Sequence, residues 1–410
     1  MSSGAGNEGR VLYLSHNGLT EPLGRRQVLP YLIGLSARGW RFSVVSFEKT
    51  WTATPEQRAA VEQLVRAAGI DWRPLRYHRR PPLLATAFDV AQGWRAGRRL
   101  GRSARLIHAR SSVPALMARL ISRGAGTPRV PWVFDVRGLL AQEYVDAGHW
   151  TEGSLRQRLT SAVERRLLEQ ADGVVTLTRR IVERLPEPEA GGSTRPAAVV
   201  PCSVDLESFR PSAEWRRAVR EELRLGDDPL LVYSGSLGSW YRLDEMLDFF
   251  EAAGRTLAGL RFLLLTPQAA AATQAANARG MASRVTARSL EPDAVPRYLA
   301  AGDAGICFLG KHESKQASSP TKFAEYLAAG LPVITNRWIG DADTLAGEEC
   351  WILVDEFSAS DYEQAAARLT GLLAAPAATR RASRALAERE FALEAAVDRY
   401  DALYRQLLTR

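Results

Sequence analysis

Cysteine is scarce in this chain of 410 residues, and the three present, Cys202, Cys307 and Cys350, lie far apart and form no C-x-x-C pair. Three widely spaced thiols give neither a disulfide framework nor a zinc or dithiol site, so they read as reduced packing residues. Long apolar runs are missing too, since no uninterrupted stretch approaches the roughly 18 residues of a membrane span. The first ten residues, Met1 to Arg10, are small and polar and lack the apolar segment of a secretory signal. Both absences point to a cytoplasmic protein. No loop carries the G-x-G-x-x-G fingerprint, which argues against nicotinamide or flavin chemistry. Gly305-x-x-x-x-Gly310-Lys311 has the phosphate-loop spacing, but His312 stands where Ser or Thr is required, and Ile306 to Leu309 is an apolar strand rather than a glycine-rich cradle. Asp341-Ala342-Asp343 has no further ligands nearby and fits helix capping better than a metal site, so no metal is expected.

Apolar residues make up 46% and charged residues 24%, a balance that suits a folded protein, and the length suits two domains at roughly 150 residues each. Short apolar runs alternate with longer amphipathic stretches, the pattern of parallel sheets covered by helices on both faces. The strand candidates of the first half are Val11 to Ser15, Ser43 to Phe47, Arg105 to Ala109, Trp132 to Val136 and Gly173 to Thr178. Those of the second half are Leu230 to Ser234, Arg261 to Thr266, Ala304 to Leu309, Pro332 to Thr335 and Trp351 to Val354. Pro186, Pro188, Gly191, Gly192 and Pro196 form a breaker-rich hinge between them. The expected division is therefore 1–197, 198–385 and a tail, 386–410. In that tail Phe391, Val397, Tyr400, Leu403 and Tyr404 build one apolar face that packs back on the first domain.

The formal charge of +8 calls for an anionic partner. Its distribution is uneven: between Arg73 and Arg110 stand ten arginines and one acid, Asp89, interleaved with Trp72, Tyr77, Leu83, Leu84, Phe88 and Trp94. That mixture suits peripheral contact with an anionic membrane, where apolar side chains enter the headgroup region and arginines meet lipid phosphate. An ordinary solvated arginine-rich face is the competing reading. No helix-turn-helix, zinc-finger or aromatic RNA-binding pattern accompanies the patch, so nucleic acid is not an expected partner.

The most informative segment runs from Ser318 to Gly330 and reads as a complete helix. Ser319 is placed to cap the first turn, Pro320 fits the first helical position, and Gly330 ends the helix in a left-handed conformation. Free N–H groups and the dipole of the first turn favour an anion, and Lys322 adds a full charge suited to a diphosphate. Glu325, one turn deeper, has the acceptors for a ribose diol. The plainer alternative is an intrahelical Lys322–Glu325 ion pair. Tyr233 to Ser239 is a glycine turn after an apolar strand, and Asn17 to Gly24 is its counterpart in the first half. At first-half strand ends lie His108 with Arg110, and Asp135 with Arg137 and Gly138, where open parallel sheets bind ligands. His108 has a donor for a sugar hydroxyl, and Arg137 suits an anionic group; a structural Asp135–Arg137 pair is equally open.

The run Ser318 to Val333, ending Ala329-Gly330-Leu331-Pro332-Val333, resembles the donor-site signature of family-4 retaining glycosyltransferases. Val200-Pro201-Cys202-Ser203-Val204-Asp205-Leu206-Glu207-Ser208-Phe209 is similar to that family's linker, and Gly24 to Leu32 and Phe134 to Gly138 extend the likeness. The resemblance implies the GT-B fold: α/β, two Rossmann-like domains with parallel sheets facing an interdomain cleft. It further implies that Glu325 binds the donor ribose, and that Lys322 with the helix start at Ser318, Ser319, Pro320 and Thr321 holds the diphosphate. Gly24 and Gly235 would line the cleft, and His108 would sit near the donor sugar with Asp135, Arg137 and Arg110 as sugar or acceptor contacts. Positive groups rather than a metal stabilise the leaving phosphate in such enzymes, and no cofactor is needed beyond the nucleotide-sugar substrate. The implied activity is retaining transfer from a nucleotide-diphosphate sugar to a glycan or lipid-linked acceptor at the inner membrane face. Two departures stand out. The family's first acidic residue is Ala317 here, and its arginine after Gly235 is Ser236, with Arg242 the nearest stand-in for the lysine that follows. They keep open a catalytically silent nucleotide-sugar-binding protein, and a related nucleotide-sugar epimerase is a further alternative.

Overall fold

The computed structural model describes residues 9–49, 51, 53–123, 129–188, 195–238 and 240–409. The hinge glycines Gly191 and Gly192 and the loop residue Ser239 lie outside them. The chain forms two compact units, Met1–Pro201 with Ala396–Arg410, and Cys202–Ala395.

In the first unit, seven strands form one sheet: β1 Arg10–Ser15, β2 Arg41–Glu48, β3 Asp71–Arg76, β4 Leu106–Arg110, β5 Trp132–Val136, β6 Gly173–Thr176 and β7 Ala197–Val199. Their order is β3-β2-β1-β4-β5-β6-β7, and every pairing is parallel. The second unit repeats the plan with β8 Leu230–Ser234, β9 Arg261–Leu265, β10 Val285–Arg288, β11 Ala304–Cys307, β12 Val333–Asn336 and β13 Trp351–Val354. Here the order is β10-β9-β8-β11-β12-β13, again wholly parallel. Strand order reverses between β1 and β4 and between β8 and β11, and ligands of such sheets bind outside the strand ends at that reversal. The fold is the α/β, doubly Rossmann-like one that the apolar runs imply.

Helices cover both faces of the second sheet. Met246, Phe249 and Phe250 pack with Phe262 and Phe308 on one side, and Phe323, Tyr326 and Leu327 pack with Val232 and Trp351 on the other. Strands buried this way read as continuous apolar runs, and all ten strand candidates are strands. The three unforeseen strands, β3, β7 and β10, are all edge strands with mostly exposed or half-exposed residues, so their sequences carry no apolar run. The last helix, Leu393–Leu408, buries Val397, Tyr400, Leu403 and Tyr404, whereas Phe391 belongs to the core of the second unit. The expected single apolar face is thus divided where the chain returns at Ala396. No helix among the described residues is long and apolar enough to cross a membrane. All three cysteines are buried and free, and burial pushes the Cys307 thiol up to about 11, which keeps it protonated and inert.

Candidate functional site

In the second unit the chain leaves β11 through a 3-10 turn, Glu313–Ala317, and enters the helix Thr321–Ala328, buried from Lys322 onward. Two capping expectations need correction. Pro320 occupies the cap position with extended geometry (φ −60°, ψ 124°) and the helix starts at Thr321, one residue later than the sequence suggests. Ser319 does not cap; its hydroxyl accepts the Cys202 N–H at 3.1 Å and ties the helix start to the linker. No side chain among the described residues caps the first turn, which leaves its backbone donors for an anion. Gly330 closes the other end at φ +80°, as expected.

Lys322 is 4% exposed. Its ammonium lies 3.5 Å from the centroid of the Tyr241 ring and 4.7 Å from that of Tyr233, with the Tyr233 hydroxyl 3.5 Å away. No carboxylate among the described residues pairs with it, so the intrahelical Lys322–Glu325 bridge does not form. Burying an unpaired ammonium is costly, and two aromatic faces recover only part of that cost, about 2 kcal/mol at a desolvated site. The box is rigid. Tyr233 donates to the Ser236 carbonyl at 2.6 Å, and burial raises its pKa, so it stays a phenol. Tyr326 accepts the Ser234 N–H at 2.8 Å and donates to the Ile306 carbonyl at 3.3 Å, bridging β8 and β11. Arg242 N–H to Phe308 O (3.0 Å) and Gly310 N–H to Trp240 O (2.8 Å) pin the loop to the end of β11. Gly235, at φ +134°, lies against the ammonium: a β-carbon there would stand 2.9 Å from Lys322 Nζ. Trp240 carries a second cation, with Lys315 Nζ 3.7 Å from its ring centroid. Glu325 is buried one turn beyond Lys322. Arg242, the expected stand-in cation, is instead held by Glu245 at 2.7 Å because it begins the helix Leu243–Ala253 and meets that helix's acidic first turn.

In the first unit the loop 17–24 is folded on a buried carboxylate. Glu48 accepts from the N–H groups of Leu19 (2.8 Å) and Thr20 (3.2 Å) and from the Ser46 hydroxyl (2.6 Å). Gly24 is required there, since a β-carbon would come within 1.9 Å of the Gly18 carbonyl oxygen. His108 and Asp135 depart from expectation. Both are 1% exposed, and His108 stacks on Tyr13 at 4.5 Å with Nδ1 2.8 Å from Tyr404 Oη and Nε2 3.3 Å from Asp135 Oδ2. Burial holds the imidazole below its usual pKa, so it is neutral, donating from Nε2 and accepting the Tyr404 hydroxyl at Nδ1. Asp135 also accepts from Tyr400 (3.2 Å) and Arg137 (3.4 Å); burial works against its charge, but Arg137 and His108 outweigh burial and keep the carboxyl well below the carboxylate range. With both ring nitrogens engaged, His108 has none left for a sugar. Arg110 differs. Its Nε is buried without an acceptor, and its one hydrogen bond among the described residues is a 3.5 Å contact to Asn17 Oδ1.

Residues 24–203 match the family described as Glycosyl transferase 4-like domain, and residues 228–372 match Glycosyl transferases group 1. The chain belongs to the family-4 glycosyltransferases. Its fold is GT-B, and solved structures agree. HepE of Anabaena, in complex with UDP, is similar at TM-score 0.67 and 16% identity over 97% of this chain and 100% of that one. Sucrose-phosphate synthase of Thermosynechococcus elongatus gives 0.67 and 19% over 98% and 99%. A glycosyltransferase of Rickettsia africae gives 0.70 and 13% over 98% and 99%. The chain matches no curated protein sequence.

Some polar features of this glycosyltransferase escape a reading of its sequence. Asp89, the lone acid of the arginine-rich stretch, is fully buried between His16 Nε2 (3.2 Å) and His78 Nδ1 (2.6 Å). Burial opposes its charge, yet those two histidines hold its pKa below normal. Tyr241 was equally hidden. The one signal for it was an aromatic pair, Trp240-Tyr241, closing a glycine loop upstream of a lysine-bearing helix.

Proposed function

We propose that the enzyme transfers a sugar, with retention and without a metal, from a nucleotide-diphosphate sugar to a glycan or lipid-linked acceptor. The observation that carries the donor half is Lys322, a buried cation with no carboxylate partner among the described residues, beside an uncapped helix start. A diphosphate supplies the missing charge and accepts from the free N–H groups. As the bond to the sugar breaks, negative charge grows on the leaving phosphate oxygen, and donors already fixed in a dry site stabilise it without reorganising. Glu325, one turn inward, accepts from the ribose hydroxyls, and Gly235 keeps the loop clear of the ammonium. In the first unit Arg110, with its unmet donor, is the side chain suited to an anionic or hydroxyl group of a substrate. HepE, crystallised with UDP and with UDP-glucose, makes a uridine donor the first to try.

Nucleotide-sugar binding measured with and without chelator tests this reading. Binding is expected to survive chelation and to weaken in Lys322→Ala and Glu325→Ala; a strict need for divalent metal would overturn it. The anomeric configuration of the product, read by NMR, tests retention. One observation favours a second reading, a silent nucleotide-sugar binder: Ala317, where the family has an acid, is a buried methyl in the 3-10 turn. Binding without transfer or hydrolysis across a donor and acceptor panel would decide for it.

A further inference from the structure

Three helices lie side by side on one face of the first sheet. Helix Pro82–Leu100 packs on Ser112–Ser122, which packs on Leu155–Gln170, and all three share one core cluster with β1, β2 and β5. Because each helix runs antiparallel to the strands it connects, the first turns of Pro82–Leu100 and Leu155–Gln170 both lie at the carboxyl edge of the sheet. Those turns carry large apolar side chains into solvent: Leu83 is 81% exposed and Leu155 71%, with Leu84, Phe88, Leu159 and Val163 also exposed. Leu155, Leu159 and Val163 recur every four residues, forming a stripe that points away from the core. Arginines frame both groups. Arg79, Arg80, Arg156 and Arg158 are exposed and have no carboxylate partner among the described residues. Of the acids nearby, Asp89 is engaged between its histidines, Glu164 by Ser112 (2.7 Å) and the Leu140 N–H (3.1 Å), and Glu169 by Arg165 (2.9 Å), while Glu152 is exposed among the arginines.

We propose that this face seats the enzyme on an anionic lipid surface. The proposal rests on the lipid-linked branch of the reading above and deepens it by naming the surface. Exposed leucines with unpaired arginines supply the two signals that reversible membrane binding requires, apolar insertion and attraction to lipid phosphate. A second copy of the chain fits less well, because a two-fold contact would set this basic face against itself. Nucleic acid offers no apolar phase for Leu83 and Leu84.

Flotation of the full chain with vesicles tests it, using phosphatidylcholine alone and phosphatidylcholine mixed with phosphatidylglycerol, without donor. The parent protein is expected to float with the anionic vesicles and not with the neutral ones. Leu83→Ser with Leu84→Ser, and separately Arg79→Glu with Arg80→Glu, are expected to bind at least about tenfold more weakly. Both pairs should retain the parent's thermal midpoint and nucleotide-sugar binding. Absence of vesicle binding by the parent, equal binding by the variants, or a dimer in solution that the leucine variant dissociates would overturn the proposal. Transfer to a water-soluble acceptor, measured separately, reports on the glycosyltransferase reading and fails or succeeds independently of flotation.

Discussion

Two clusters of charge lie near the carboxyl ends of central strands in the two units, and burial is met differently in each. In the first, Asp135 is surrounded by His108, Arg137 and Tyr400, and Tyr404 completes the set. In the second, Lys322 has aromatic faces and a phenol but no carboxylate among the described residues. A closed network stabilises its own fold, whereas a cation left open is held in readiness for a ligand that brings the opposite charge. The same strand-end position therefore serves structure in one unit and, on our reading, catalysis in the other.

The sharpest way to break this contrast is to remove one member of each cluster. Asp135→Asn leaves buried donors facing a neutral group and is expected to destabilise the protein by about 3–5 kcal/mol, read by denaturant unfolding. Lys322→Met is expected to leave stability unchanged or raised, because it deletes an unpaired buried charge, while lowering kcat/KM about 100-fold. Equal stability losses in the two variants would erase the distinction. A smaller effect separates the aromatic box from simple packing: Tyr241→Leu should weaken donor binding about fivefold and Tyr241→Phe should restore it, since a ring face is what the ammonium meets. The smallest effect is on pH. His108 has a lowered pKa in the folded protein, so the unfolded chain takes up its proton first. Stability is then full above the ordinary histidine pKa of about 6.5 and declines as pH falls below it towards the lowered value. His108→Gln should flatten that slope in thermal unfolding measured across the interval. Asp135, whose pKa is also lowered, adds a loss that begins only at more acidic pH.

What could be read from the residues followed from burial. Central strands such as Trp132–Val136 and Leu230–Ser234 are covered on both faces, so their composition alone marks them. Edge strands such as Asp71–Arg76 take half their environment from water, and Asp-Trp-Arg-Pro-Leu-Arg reads as a basic loop until a neighbour pairs with it. The site divides along the same line. Lys322 and Glu325 are three residues apart on one helix, and local geometry fixes their relation. Tyr241 lies 81 positions from Lys322, and Tyr404 lies 296 from His108, a separation that only the folded chain closes. Ser319 and Arg242 show the reverse limit, because each has a competing partner, the Cys202 N–H and Glu245, that changes what its residue type suggests.

The sequence alone determined the alternation of strands and helices, the helix with its lysine tip, and the family likeness, since all three are written in periodicity and short spacing. Tertiary structure decided which charges are satisfied. Whether His108, Arg110 or Lys322 keeps an unmet hydrogen bond or charge depends on groups brought from distant segments, and in a medium that excludes water that difference separates a packed interior from a binding site.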